Sequence, residues 1–544
     1  MESNETETSM ADEDSKIATS TDNASNDDNE NYEKLPKEQV SEGIRQDVIM
    51  WMAGMFFIIA LLGTMFGLGH LRGWNAQSGY SHNSSADRFL PEPFEPEPGV
   101  PGRSDRDANT RWYYWQLPPG EANALTRLFV WMCYIGHQLT IWATIFYAQK
   151  KKINGEIPGP KYSSQIFTFQ SMPLLLNIFF HIMHLTQTHI TYDALAQDVS
   201  EASSQGAVIM LLVLVLLMEY RDRGLAFKWP TADNKDKVSR KLRLSQGPVN
   251  MVRKYHGYAF AWGAIYTFWY HPMENTWGHA LGFMHTWMIM LQGSLMYTNV
   301  HLNRLWRLIL EAWVVIHGSI VASQTGGPDL NGTFLWPMFC FGFLWMFTMT
   351  QIFGFSFWKK IPWWLRFFPF LVYLGICVWC YSWIPDKNGN YYIRLPQEII
   401  RIPGLEYASV LYAWLLLWIF QRVEKKINTN KSDEERNKPL SAAYETLYIL
   451  GFMLVYVIMI VLSYLLQQLD AKQSLFTLMI VLMFVFIFFT CVSFMFLDPI
   501  FKRRSSKVVP GKITDKRDKA NGYGAVGGDD IHAKSNKGYE DTDM

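Results

Sequence analysis

Residues 48–70 read VIMWMAGMFFIIALLGTMFGLGH, with no Asp, Glu, Lys or Arg among them. A helix rises about 1.5 Å per residue, so this run reaches roughly 34 Å, enough to cross a hydrocarbon core of about 30 Å. No basic n-region or cleavage site stands in front of it, which reads as a retained signal anchor rather than a cleaved leader.

Working outward, eleven further mostly apolar windows follow at about 124–147, 166–188, 205–220, 255–271, 278–299, 305–323, 333–357, 362–384, 405–421, 442–466 and 473–497. Lipid offers backbone groups no water to bond, so each window is predicted to be helical. The expected fold is all-α, a polytopic transmembrane helix bundle of about 12 spans. The 544 residues have a mean hydropathy of only −0.02 because polar tails dilute these windows. With 49 Lys+Arg against 49 Asp+Glu there is no basic excess for a nucleic acid to meet, and a soluble globular enzyme is excluded as well.

Loop charge predicts the orientation. With the N-terminus inside, the inner loops carry Lys150, Lys151, Lys152 and Lys161, then ten basic residues from Arg221 to Lys254, then Arg304 and Arg307, and later Lys359, Lys360, Arg366 and Arg422. The opposite loops 189–204, 272–277 and 324–332 hold no Lys or Arg. Both termini are therefore expected to be cytoplasmic. Four segments follow: an acidic disordered tail 1–46, a His-rich membrane half 47–325, a membrane scaffold half 326–498 and a disordered tail 499–544.

The long loop 71–123 carries Pro91, Pro93, Pro96 and Pro98, an extended polyproline-like run, then Trp112, Tyr113, Tyr114 and Trp115 at the interface. Sequons at Asn83 and Asn331 fall on the expected outer side, but Asn4 and Asn430 fall on the inner side, so they carry little weight. All five cysteines lie within windows, which leaves no disulfide framework. The terminal Thr542-Asp543-Met544 suggests capture by a cytoplasmic adaptor. No organelle address is legible, so the plasma membrane and the endomembrane system both fit.

The histidines carry the chemical signal. Of 13, ten lie between the second and seventh windows and none in the last five. Ionisable groups at membrane depth usually face a bundle interior and mark a function. His181 and His184 stand at i and i+3, and with His189, His279, His285 and His317 they form the expected metal set. In the outer hairpin Glu274 sits between His271 and His279, with Asp193 nearby, and Glu274 and Glu311 are the expected relay carboxylates. His256 and His271 on one window, with His285 and His301 on the next, offer two levels of axial ligands for a b-type haem, provided partners come from different helices. The His271-Pro272-Met273 string resembles the cytochrome b561 proteins over these residues alone. The other histidines depart from that family's spacing.

Three functions are expected from these residues. The first is a metal- or haem-binding membrane protein with redox or lipid-directed activity. The second is a proton-coupled solute transporter using the histidines, Glu219, Glu311 and Asn177 as a relay. In the first reading the last five windows serve as scaffold or dimer surface; the third function is a receptor or scaffold that displays the Pro-rich outer loop and binds partners through its tails.

Overall fold

The computed structural model describes residues 45–74, 123–153, 162–232, 234, 236–242, 246–325, 336–386, 388–428, 442–469 and 475–505. The acidic tail up to residue 44, most of the Pro-rich loop with its aromatic run, all four sequons and the C-terminal tail beyond Ser505 lie outside these residues; residues 499–505, expected to be disordered, instead continue the last helix.

Each predicted window is occupied by a helix. In chain order these are α1 (Gln46–Leu71), α2 (Ala124–Ile153), α3 (Thr168–Thr191), α4 (Glu201–Arg223), α5 (Gln246–Tyr270) and α6 (Trp277–Ser294). Then follow α7 (Arg304–Thr325), α8 (Trp336–Met349), α9 (Phe368–Tyr381), α10 (Leu395–Asn428), α11 (Ala442–Leu469) and α12 (Leu475–Ser505). Among the described residues there is no strand, only isolated bridges such as Ser163 with Thr298.

Eight of these helices are long and apolar enough to cross a membrane: α1, α2, α4, α7, α8, α9, α10 and α12. Of the others, α3 and α6 carry four of the buried histidines, His181, His184, His279 and His285, and α5 carries His256. Their polar side chains lower the hydropathy because they face protein and not lipid.

α5 sits at the centre, packed against α2, α4, α6, α10 and α12. Tyr255, Trp262, Ile265, Tyr266, Phe268, Trp269 and Tyr270 along it are all fully buried. A helix covered on every side belongs inside the core. α1 and α9 lie at the edge and expose Phe56, Ile59 and Trp379.

Small residues set the closest helix pair. Ala202, Ser203, Ser204, Gly206 and Ala207 form the first half of α4, and a Cβ on Gly206 would lie 3.3 Å from the backbone nitrogen of Met483 on α12. Helices in lipid gain by this close approach, since apolar contact alone does not favour protein over acyl chains. One continuous core thus runs from Met50 to Leu497, and α10 and α12 from the predicted scaffold half contribute to it beside α4 and α5.

Local chemistry fixes the helix ends. Asn123 Oδ1 accepts from the Leu125 and Thr126 amides, Ser200 Oγ from Ala202, and Thr276 Oγ1 from His279. α3 runs unbroken through Pro173, a residue whose missing N–H suggests a break from sequence. At the start of that helix Gln170 Oε1 accepts the Phe167 amide at 2.6 Å.

Candidate functional site: a buried imidazole and carboxylate cluster

The segment joining α5 to α6, residues 271–276, is pinned at one end of the bundle. Thr188 Oγ1 on α3 accepts the Met273 amide at 2.8 Å. From α1, Gly69 lies so close to Asn275 that a Cβ would fall 2.3 Å from the Asn275 Cγ. The hairpin is thereby held between α1 and α3.

Glu274 is fully buried in this hairpin. Its Oε1 lies 3.0 Å from His279 Nδ1, and its Oε2 accepts the hydroxyl of Tyr192. Thr276 Oγ1 also meets His279 Nδ1, at 2.6 Å. Tyr192 reaches the carboxylate because it ends α3 in a left-handed conformation, φ 51°, with its amide on the Thr188 carbonyl. A buried carboxylate is costly unless hydrogen-bonded; Tyr192 supplies such a bond to Oε2, while Oε1 faces His279 Nδ1 without a hydrogen-bond partner.

Further imidazoles surround this core. The His271 ring lies 5.3 Å from that of His279. His271 is also within electrostatic reach of His184 and His317, and His317 of His279 and His285. The His285 and His317 rings lie 5.8 Å apart, and His285 Nε2 donates to the Leu310 carbonyl at 2.9 Å. Gly282 on α6 makes room here: a Cβ at that position would fall 2.8 Å from His317 Nε2.

His181 and His184 share a face of α3 but do not close on one point. Phe268 wedges between them, 4.9 Å from the first ring and 4.5 Å from the second. His181 stacks on Trp287 and His184 on Trp269. Neither ring nitrogen of His184 has a partner at full hydrogen-bond geometry, although the His271 backbone acts on it. His189 stacks on Trp74 at 5.0 Å, and Trp74 in turn packs edge-on against Tyr192. Among the described residues, no three His, Cys, Asp or Glu side chains converge as metal ligands.

Of the two levels expected for haem, the inner pair lies together and the outer pair parts. His256 and His301 face each other at 6.2 Å, each with Nδ1 donating to a backbone carbonyl, that of Arg253 and of Gln292. His271 instead pairs with His279, and His285 with His317, its Nε2 spent on Leu310. Asp193 turns away from the hairpin, to Thr126 Oγ1 at 2.6 Å.

His137 is satisfied structurally. Trp269 Nε1 donates to its Nδ1 at 3.1 Å, so its Nε2 carries the proton and donates to Asn177 Oδ1 at 2.8 Å. The Asn177 amide continues to Ser294 Oγ at 3.2 Å, stapling α2, α3, α5 and α6 together.

At the opposite end, Arg223 Nη1 donates to both oxygens of Glu311, at 2.8 and 2.7 Å, and Arg307 pairs with Glu219. Glu311 is thus an ion-pair partner, with only 10% of its side chain exposed and 4% of that of Arg223.

Outside the helices, burial pushes the Asp193 carboxyl up despite its bonds to Thr126 and the Ala194 amide. Burial, with His256 alongside, lowers the His301 imidazole to about 4. His301 is therefore neutral in the fold at pH values where an unfolded imidazole, with a pKa of about 6.5, takes a proton. Its contribution to stability is present above pH 6.5 and is lost as pH falls towards 4. The expected result is that His301→Asn flattens the decline of the melting temperature over that window, measured by thermal unfolding in detergent. An unchanged decline would refute it.

Compared with family models, curated proteins and solved structures, the chain matches none.

Proposed function

We propose that this is a twelve-span integral membrane protein, with both termini on the cytoplasmic side, that couples proton movement to a solute through the imidazoles between α6 and α7. One observation carries the reading: a buried carboxylate that accepts the Tyr192 hydroxyl and lies 3.0 Å from His279 Nδ1, with His317 and His285 beyond it along α6 and α7. Intramembrane histidines and carboxylates in such series mark proton relays. Imidazole suits the task because each ring can accept a proton on one nitrogen and release one from the other. α3, α5 and α6, the polar members of the twelve, have 24, 25 and 18 residues, and at about 1.5 Å per residue even the shortest covers roughly 27 Å.

The test is proton flux into liposomes of reconstituted protein, followed with an entrapped pH dye under candidate solute gradients. Glu274→Gln and His317→Asn should each slow the flux at least tenfold. Wild-type rates in both variants would overturn the reading.

A second reading, a transition-metal site in the same cluster, is supported by the two ring nitrogens of His184. A buried group without a full partner costs about 1–3 kcal/mol, and such groups often have an ion or water beside them. Since no three ligands converge among the described residues as they stand, a metal ion would require ring rotation around His184, His271 and His279. Stoichiometric metal that His184→Ala removes would favour this second reading.

A further inference from the structure

A cavity of about 50 Å³ opens at the arginine end, between the last turn of α4, the first two turns of α7 and the turn that follows α8. Arg223, Arg304, Arg307, Glu219, Asp222 and Glu311 supply its charged wall, with Gln351 beside them. We propose that it binds a phosphate group, carried by a soluble phosphate or by a lipid headgroup. This inference is independent of the proton-relay reading.

The argument rests on which hydrogen-bonding capacity is already used. Each carboxylate on the wall has a guanidinium partner: Glu311 has Arg223, Glu219 has Arg307, and Asp222 has Arg253 at 3.1 Å. A further carboxylate, Glu406 on α10, is near Arg223 but does not line the cavity. What remains on the wall is mostly donor. Arg223 Nε and Nη2 and Arg307 Nε are buried without partners, and exposed Arg304 enters no ion pair among the described residues. Leaving such charged donors dry is expensive, and planar guanidinium forks match phosphate oxygens.

Size agrees with this chemistry. A water-sized atom needs about 10–15 Å³ of such space, so about 50 Å³ holds roughly four, the number of oxygens on one phosphate. Gln351 Oε1, buried without a partner, can accept from the hydroxyl of a protonated phosphate. Leu308 and Phe355 give the wall an apolar side, against which the carbon skeleton of a phosphate ester could lie.

The experiment uses the full chain in a phosphate-free sugar detergent, stripped of lipid. Equilibrium dialysis with radiolabelled inorganic phosphate is run beside native mass spectrometry after exposure to phosphatidic acid or phosphatidylcholine. Saturable binding of at least one form is expected, weakened at least tenfold by Arg304→Gln, an exposed position that does not threaten the fold. It should also be lost in Arg223→Gln/Glu311→Gln, which removes both halves of the buried pair. Binding of phosphate alone would assign a soluble ligand. Retention of phosphatidic acid that free phosphate does not displace would assign a headgroup. Either supports the proposal. No binding of either form, or binding equal in wild type and both variants, overturns it.

Discussion

Arg223→Met should destabilise the bundle by about 3–5 kcal/mol, the usual cost of leaving one member of a buried ion pair uncompensated. The guanidinium is almost entirely buried and gives both oxygens of Glu311 a hydrogen bond from Nη1. Without it, Glu311 would be left at the α4–α7 contact with Glu219 and Glu406 near it. Adding Glu311→Leu should recover most of the loss, because replacing a buried pair by apolar residues of similar volume is often close to neutral. Unfolding in a graded detergent mixture measures both. A single variant as stable as wild type, or a double variant no better than the single, would contradict this account.

Trp262→Ala should cost about 3 kcal/mol or more through the cavity it leaves. Trp262 is fully buried on the central helix, with ring centroids 5.2 Å from Tyr266, 5.4 Å from Tyr456 on α11 and 5.2 Å from Phe486 on α12. In lipid the gain from leaving water is small, so the loss is one of packing contacts and aromatic geometry. Trp262→Phe should cost clearly less, since it keeps a ring in the slot. Equal melting temperatures for the Ala and Phe variants would show that the slot does not hold the three helices together.

The comparison between sequence and structure follows from what a helix makes periodic. Neighbours in sequence stay neighbours across a short turn, so His271, Glu274 and His279 are expected together in one hairpin, as the structure has them. Azimuth depends on which helix packs where, and one chain does not reveal that. His181 and His184 therefore looked like one bidentate site, while Phe268 from α5 separates them. Asp193, expected near this hairpin, bonds Thr126 instead, and the left-handed turn at Tyr192 sends the neighbouring tyrosine to Glu274. Glu311 is expected as a relay group from its place within a membrane window, and the structure gives it a partner 88 residues away on α4, which no local pattern foretells. The small-residue run at the start of α4 was the one available signal for the tight α4–α12 contact.

That contact has a consequence for biogenesis. Gly206 and Met483 touch across the α4–α12 seam, yet they leave the ribosome 277 positions apart. At about 5–20 residues per second, α4 waits roughly 15 to 55 s for the helix that covers it. Throughout that interval its seam of serine, glycine and alanine has no permanent neighbour. Truncation before α12 should therefore leave earlier helices inserted but unprotected, as clients for membrane quality control rather than a smaller stable bundle.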